Sequence, residues 1–271
     1  MMGHFVCIIF VCIALPLPLY AQGWSGGYLV LSQTSIHHNS LIKSSAVGGS
    51  YGGTPVSTAS QDMMNAMKAG MHSTFQSGAH DNGFDFKGGY NWVYHDFLLG
   101  VEGAWNQAQS QHRYSYNKIS PFAGSTFTEL KSKLLVEQKI KQLFVFSGRL
   151  GYIKNNFLIY GRLGVSIVDA AMHVKFEGDV AVPASLKIVD NNYKKNSIKY
   201  GLSSALGVEY KPFKNWFMRL EYSRLDLKLG SHQYEVRSID TLNPNFFANT
   251  TGLVQSSSKL NQIQIGLGYK F

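Results

Sequence analysis

Seven histidines give this chain its clearest potential for ligand chemistry. They fall in segments rich in Ser, Asn and Gly, between more apolar stretches: His37, His38, His72, His80, His112, His173 and His232. Neutral imidazoles in such segments can bind heme iron or a divalent metal. No spacing among them matches a metal-binding motif, so solvated loop histidines are the simpler interpretation.

Charged residues form a second pattern, because they alternate with apolar residues along several stretches. The charged residues on the polar side of these stretches are Asp85, Lys87, Glu102, Arg149, Arg162, Lys199, Glu209, Arg219 and Glu221. If each stretch is a strand of a narrow closed barrel, these side chains point inward and must pair, because an unpaired buried charge is costly. A static network of ion pairs and a gated narrow conduit both fit this pattern.

The C-terminal nine residues show which kind of element positions these side chains. Ile263, Ile265, Leu267, Tyr269 and Phe271 alternate with Gln264, Gly266, Gly268 and Lys270. A period of two with one wholly apolar face predicts a strand between two different solvents. A soluble β-sandwich and a lipid-spanning barrel both use such strands.

Eight segments alternate well enough to be strands. They cover approximately residues 24–33, 84–92, 99–106, 136–152, 157–167, 199–210, 216–223 and 263–271. The links after the second, fourth and sixth segments are short, and the other links are long. This sorting predicts an all-β fold, an eight-stranded antiparallel transmembrane barrel of up-and-down topology with long outer loops. An extra hairpin at 50–60 would give ten strands, and the blurred alternation at 224–227 suggests a bulge.

The N-terminus has the pattern of a signal peptide over residues 1–21, which leaves residues 22–271 as the barrel domain. An apolar run from Phe5 to Leu19 precedes a possible cleavage point after Ala21. Cys7 and Cys12 both lie in this segment, so the mature chain is expected to have no cysteine chemistry. Beyond residue 21 no apolar run reaches the roughly 18 residues of a spanning helix, which leaves a barrel for a membrane protein.

The net charge of +9 is spread along the chain and not gathered in a basic run. A basic surface of this kind attracts anionic lipids, glycans and similar ligands. Without a clustered Lys/Arg segment, the composition gives no indication of a nucleic-acid site.

Four motifs resemble the porin-like small outer-membrane β-barrel family, which includes OmpA-type barrels, surface antigens and some hemin-binding proteins. They are Gly88-Gly89-Tyr90-Asn91-Trp92, Phe97-Leu98-Leu99-Gly100-Val101-Glu102-Gly103, Arg219-Leu220-Glu221-Tyr222 and Gly268-Tyr269-Lys270-Phe271. The resemblance implies an outer-membrane location in a Gram-negative cell. It also implies a C-terminal signal for the barrel-assembly machinery, formed by Ile265, Leu267, Tyr269 and Phe271.

Two sites to test follow from the resemblance, and a third follows from residue spacing. Hemin is the one cofactor considered, with His37 and His38 as weak ligands, and no metal site is predicted. His38-Asn39-Ser40 has the His–Ser spacing of lipid A deacylase barrels but follows the wrong strand and lacks an acid partner, so no enzyme is expected. A short amphipathic helix on the barrel rim is predicted from Met63, Met64, Met67 and Met71.

Together these patterns predict a structural, surface-displaying barrel in the cell outer membrane, with basic extracellular loops. The alternative is a porin-like barrel for a small solute or hemin. The expected partners are outer-membrane lipid and lipopolysaccharide, the barrel-assembly machinery, and host-surface or anionic ligands.

Overall fold

The computed structural model describes residues 23–52, 64–65, 67–69, 71–107, 110–121, 129–181, 186–189, 191–240 and 247–271. The predicted signal peptide and Met63 lie outside these residues. The strands are β1 (Gly26–Gly52), β2 (Ser73–Tyr94), β3 (Phe97–Asn106), β4 (Ser110–Pro121), β5 (Glu129–Lys154), β6 (Phe157–Ala181), β7 (Leu186–Val189), β8 (Asn191–Tyr210), β9 (Trp216–Asp240) and β10 (Phe247–Lys270). Within the described residues, no helix is long and apolar enough to cross a membrane.

The strands close into a ring with eight positions. The order is β1, β2, β3, β5, β6, β8, β9 and β10, and β10 pairs again with β1. β3 and β4 both pair with β5, one after the other along its length, and the short strand β7 pairs with the far end of β9. The predicted eight-stranded antiparallel barrel is therefore confirmed, and the ten-stranded alternative is wrong.

Three short turns join the strands at one end of the barrel, which we call the short-turn end. Two of them have two residues each, and His95 and Asn155 both have φ of 56°. This φ lies in the left-handed region, which Asn tolerates better than most residues. The turns also hold one another, because Ile153 N donates to Asp96 O at 2.7 Å and Lys211 N donates to Asn156 O at 2.9 Å.

The strands are far longer than the sequence pattern predicts. β1 has 27 residues and β9 has 25, whereas about 9–11 tilted residues cross a bilayer. Much of each predicted long loop is a continuation of the strand before or after it. The prediction of long irregular loops is therefore wrong over these stretches, because polar residues on both sides of a strand conceal its period.

Outward-facing apolar side chains form a belt, bounded by two aromatic rows. The row near the short turns contains the cross-strand pairs Phe97–Tyr152, Phe157–Tyr210 and Trp216–Tyr269, with ring centroids 5.5, 4.8 and 5.0 Å apart. The second row includes Phe86, Trp105 and Phe144, which are partners across β2, β3 and β5, together with Tyr200 and Tyr222. Such girdles mark the two interfaces of a membrane barrel. We call the part of the barrel beyond the second row the extension.

The two faces of each strand exchange polarity where the belt ends. On β9, Met218, Leu220 and Tyr222 face outward in the belt, and Arg224, Asp226 and Lys228 continue the same face in the extension. The inner face changes from Arg219, Glu221 and Ser223 to Leu225, Leu227 and Leu229. The bulge predicted at 224–227 is therefore misplaced. The register shift lies at Leu229. The alternation of apolar and polar residues is unclear at 224–227 because the outer face of the strand passes there from lipid to water.

In the extension, the ring separates into two facing sheets. The β2–β3 ladder ends at Asp85↔Asn106, and the β8–β9 ladder ends at Gly201↔Leu227. Beyond these points the described ladders join β4, β5, β6 and β8 on one side, and β2, β1, β10, β9 and β7 on the other. We call the boundary between 191–200 of β8 and 228–236 of β9 the seam.

Two glycines allow large rings to fill the narrow lumen. A Cβ at Gly207 would collide with the Tyr160 ring, and one at Gly268 would collide with the Phe217 ring. A side chain on the neighbouring strand at either position would displace the ring from the interior.

Candidate functional site

Eight charged side chains meet inside the barrel at the level of the belt, and we call them the waist network. They are Asp85, Lys87, Glu102, Arg149, Arg162, Glu209, Arg219 and Glu221, the residues that the sequence pattern places inside. Arg149 and Arg219 are each 1% exposed, and Lys87 is 0% exposed. Four cations face four carboxylates, so the network has no formal net charge.

One half of the waist network is centred on Glu209. This carboxylate accepts from Arg149 Nη2 at 2.8 Å and from Arg219 Nε at 2.8 Å. Arg219 Nη1 continues to Glu102 Oε2 at 2.7 Å. These bonds join β5, β8, β9 and β3 across the lumen.

The other half is centred on Glu221. Its Oε1 accepts from Lys87 Nζ at 2.7 Å and from Arg162 Nη2 at 2.8 Å. Lys87 also lies 3.4 Å from Asp85 and donates to Gln264 Oε1. Each cation in this half therefore has an anionic partner, which offsets the cost of its burial.

Two tyrosines complete the waist network, and the sequence analysis assigned neither to it. Tyr28 OH donates to Glu102 Oε2 at 2.8 Å, and Tyr160 OH donates to Glu221 Oε2 at 2.6 Å. The Arg149 guanidinium lies 4.0 Å from the centroid of the Tyr160 ring. Both tyrosines fall on the inward parity of their strands, a signal that the charged pattern obscured.

An apolar layer closes the lumen between the waist network and the short turns. Its members are Trp24, Tyr28, Val30, Val93, Leu98, Ile153, Leu158, Tyr160 and Phe217. The sequence analysis assigned only charged side chains to the interior and so missed this apolar layer. Val93, Leu98 and Ile153 were missed because they lie just beyond the ends of the predicted strands.

Further layers fill the interior beyond the waist network. The first is apolar and includes Ile36, Leu225 and Leu260. The next is polar: Ser40 Oγ lies 2.8 Å from both His38 Nε2 and Ser258 Oγ.

The last layer lies between the two sheets of the extension and contains the predicted methionine helix. The described residues 64–65, 67–69 and 71 are helical. Met64, Met67 and Met71 are buried against Ile42, Tyr114, Leu134, Val136, Met172, Val174, Phe176, Tyr234, Val236 and Val254. The helix is thus part of an apolar core and does not lie on the rim, as the sequence pattern predicted.

The histidines predicted to lie in loops are mostly in strands. His37 and His38 are consecutive in β1, so their side chains lie on opposite faces of the wall. The His37 ring stacks on His80 of β2 with centroids 4.4 Å apart, whereas His38 is buried inside. A joint hemin site of these two residues is incompatible with this arrangement.

A metal site and the His38–Ser40 pair are the two further possibilities for chemistry. Among the described residues, no group of three or more His, Cys, Asp or Glu side chains is placed to hold a metal ion. His38 and Ser40 do contact each other, but both are fully buried in the polar layer, where a lipid substrate has no access.

The proposed assembly residues lie on the lipid-facing side of the last strand. Ile265, Leu267 and Phe271 are exposed on this face, and Tyr269 packs against Trp216. Phe271 N donates to Gly27 O at 3.0 Å, so the terminus also holds the first strand. Lys199, also assigned to the interior, lies at the seam above the waist network.

A closed ring of eight antiparallel strands, with an apolar belt between aromatic rows and paired charges inside, defines a membrane β-barrel of the outer-membrane type. The chain belongs to the outer membrane protein beta-barrel domain family, whose model matches residues 20–271. Its location is therefore the outer membrane, as the sequence analysis predicted.

Individual proteins show the same likeness. The chain is 27% identical over 207 residues to a 22 kDa outer membrane protein of Rhizobium leguminosarum bv. viciae, which covers 75% of this chain and 74% of that protein. The crystal structure of OprG from Pseudomonas aeruginosa is 15% identical, with a TM-score of 0.42, and covers 91% of this chain and 96% of its own. The Escherichia coli outer membrane protease OmpT is 10% identical, with a TM-score of 0.41, and the match covers 91% of this chain and 97% of OmpT.

Proposed function

We propose that this protein is a non-conducting structural barrel that displays a rigid, basic extension at the cell surface. The observation that carries the proposal is the filled lumen. The waist network is almost inaccessible to water, and apolar layers close the interior on both sides of it. An eight-stranded barrel is just wide enough for side chains to fill, so the function lies on its outer surface.

The orientation follows the general rule for outer-membrane barrels. Short turns face the periplasm, and long connections face outward. The short-turn end of this barrel is then periplasmic, and the extension projects from the cell. Its outer face carries charged residues such as Lys133, Glu137 and Lys228, which is suited to water and to anionic ligands.

The extension differs from a set of flexible loops. Its strands keep their ladders well beyond the belt, and an apolar core between the two sheets includes the methionine helix. A surface held in this way presents its charges in fixed positions, which reduces the entropy lost when a ligand binds.

Planar-bilayer recording tests the closed lumen directly. The refolded protein is expected to give no stable current steps at neutral pH, while a general porin in the same lipid conducts. Steady single-channel currents that scale with salt concentration would overturn the proposal and favour the small-solute conduit.

The hemin alternative has a separate test. Titration of hemin into the refolded protein is expected to leave the Soret band at the position of hemin in detergent alone. A Soret shift in the native protein that His37→Gln abolishes would contradict this expectation and support a heme site that includes His37 without His38.

We also propose that the protein has no enzymatic activity. The argument is the burial of the His38–Ser40 contact in a layer that substrate cannot reach. Lipid A from cells with and without the protein is expected to have the same acylation pattern by mass spectrometry.

A further inference from the structure

We infer that the outer wall formed by β8, β9 and β10, immediately beyond the belt, is a binding surface for the phosphate groups of lipid A, the lipid anchor of lipopolysaccharide. We call it the basic wall, and its outward-facing cations are Lys194, Arg224, Lys228 and Lys259. The inference goes beyond the proposed function and does not depend on a closed lumen.

The exposed part of the basic wall lies on β9 and β10. Arg224, Lys228 and Lys259 all point outward and are exposed. One carboxylate lies among them, because Asp226 is the cross-strand neighbour of Lys259 and lies 3.3 Å from Arg224 Nε. Within the described residues, no ion pair involves Lys228.

Two further lysines lie at the seam, behind this wall. Lys195 and Lys199 are on the inward side of β8, where their cross-strand partners are the buried Met172 and Val168. Lys199 reaches toward β9, where its Nζ lies 3.1 Å from the position of a Cβ on Gly230. These lysines therefore place positive charge behind the basic wall and not on its outer face.

On the opposite wall of the extension, several lysines are paired with carboxylates. On β5 and β6, Lys133 lies 3.7 Å from Glu177, and Lys141 lies 3.8 Å from Asp169. Glu177 also accepts from Lys175 at 2.8 Å. The contrast between the walls is therefore one of pairing.

The position of the basic wall selects a lipid ligand over a soluble one. Tyr222 and Ile263 end the apolar belt on β9 and β10, and Arg224 and Lys259 follow within four positions. Ile198 and Tyr200, both strongly exposed, place the apolar boundary beside the lysines of β8. A ligand that reaches both regions has acyl chains and an anionic headgroup.

The headgroup chemistry follows from the type of cation. Lysine ammonium groups bind phosphate oxygens as point charges, and Arg224 adds a planar donor set. The two phosphates of lipid A lie at the junction of its acyl chains and sugars, at the same depth as this wall. Sulfated glycans share the charge but lack the acyl chains.

A pair of matched double variants tests the inference. Lys228→Gln/Lys259→Gln removes two cations from the basic wall, and Lys133→Gln/Lys141→Gln removes two from the paired wall. Protein refolded in neutral detergent is titrated with bisphosphorylated lipid A, and native mass spectrometry measures the bound fraction. Heat-modifiable mobility on gels checks that each variant folds.

The basic-wall variant is expected to bind about thirtyfold more weakly than the native protein, while the paired-wall variant binds within about twofold. Dephosphorylated lipid A is expected to bind the native protein and the basic-wall variant equally weakly. An equal loss in the two variants overturns the inference, and so does binding of dephosphorylated lipid A to the native protein as tightly as the bisphosphorylated form. Binding of heparin with the same dependence on Lys228 and Lys259, and without lipid A binding, would assign the surface to a soluble polyanion and also overturn it.

Discussion

At the scale of single residues, Arg219 is the most connected member of the waist network. It bonds Glu209 and Glu102, and its guanidinium also faces the rings of Tyr28 and Tyr160. Because all of these groups are buried, loss of the cation leaves two carboxylates without a principal partner.

Arg219→Gln is therefore expected to lower the free energy of unfolding by about 3–5 kcal/mol. Urea titration of the protein in lipid vesicles measures this change. Lys141→Gln is the control, since its exposed pair with Asp169 is worth at most about 1 kcal/mol. Equal effects of the two substitutions would show that the waist network is not a principal source of stability.

His232 gives the extension a pH dependence. Burial and the lysines at 195 and 199 lower its pKa below the ordinary value of 6.5, while a hydrogen bond to the Leu229 backbone acts in the opposite direction. The unfolded chain then binds more protons than the folded one as the pH falls through about 6.5, so acidification destabilises the fold.

His232→Gln is expected to flatten this part of the profile between pH 7 and pH 5. Thermal midpoints of the refolded protein, measured across that range, provide the check. His80→Gln, on the outer face, is the comparison. A profile that keeps its full slope in His232→Gln would assign the acid sensitivity to other groups.

At the scale of elements, β9 shows how one strand serves two environments. Its outward face includes Leu220 in the belt and Gln233 in the extension. Even-numbered residues face outward up to the register shift at Leu229, and odd-numbered residues face outward after it. The same substitution on this face therefore has different consequences at the two heights.

Leu220→Arg is expected to destabilise the protein by about 2 kcal/mol or more, because it places a charge against acyl chains. Gln233→Arg, on the same face in the extension, is expected to change stability by no more than about 0.5 kcal/mol. Unfolding in vesicles measures both. Comparable costs would mean that the belt does not end at Tyr222.

The methionine helix is the second element with a measurable role. Met67 is fully buried in the core of the extension, whereas Met218 faces lipid. Met67→Ala is expected to cost about 2–5 kcal/mol through the cavity it leaves. Met218→Ala, the matched control, is expected to cost much less, and similar values would place the helix outside the core.

The strands could be predicted wherever one face was apolar and the other was not. The terminal strand and the stretch from Phe84 to Trp92 have this form, and both are where the pattern indicated. The extension could not be predicted in the same way, because the outer face becomes polar while the inner face remains mixed. Strand parity identified the waist charges. It was not applied to His37 and His38, because these residues were predicted to lie in a loop, and their opposite directions were therefore missed.

At the scale of the whole molecule, the barrel is much taller than its membrane span. β9 continues for eighteen residues beyond Tyr222, a length on the order of 40–50 Å for tilted strands. Most of that length belongs to the two-sheet extension, so a large share of the protein's outer surface is displayed to solvent.

Cysteine labelling tests both this height and the orientation. The mature chain is predicted to have no cysteine, so Gln233→Cys introduces a single thiol on the outer face of the extension. A membrane-impermeant maleimide is expected to label it on intact cells, whereas Leu220→Cys reacts only after denaturation. Labelling of Gln233→Cys only in permeabilised cells would reverse the orientation.

The exchange of polarity along each strand has a consequence for the fidelity of assembly. A slip of one residue in β9 would turn Arg219 and Glu221 toward acyl chains and, on the same strand, turn Leu225 and Leu227 toward water. Each misregistered state is thus penalised in two solvents at once. The sequence of the strands therefore disfavours incorrect registers, and the correct pairing of β1 with β10 is the arrangement that suits both lipid and water.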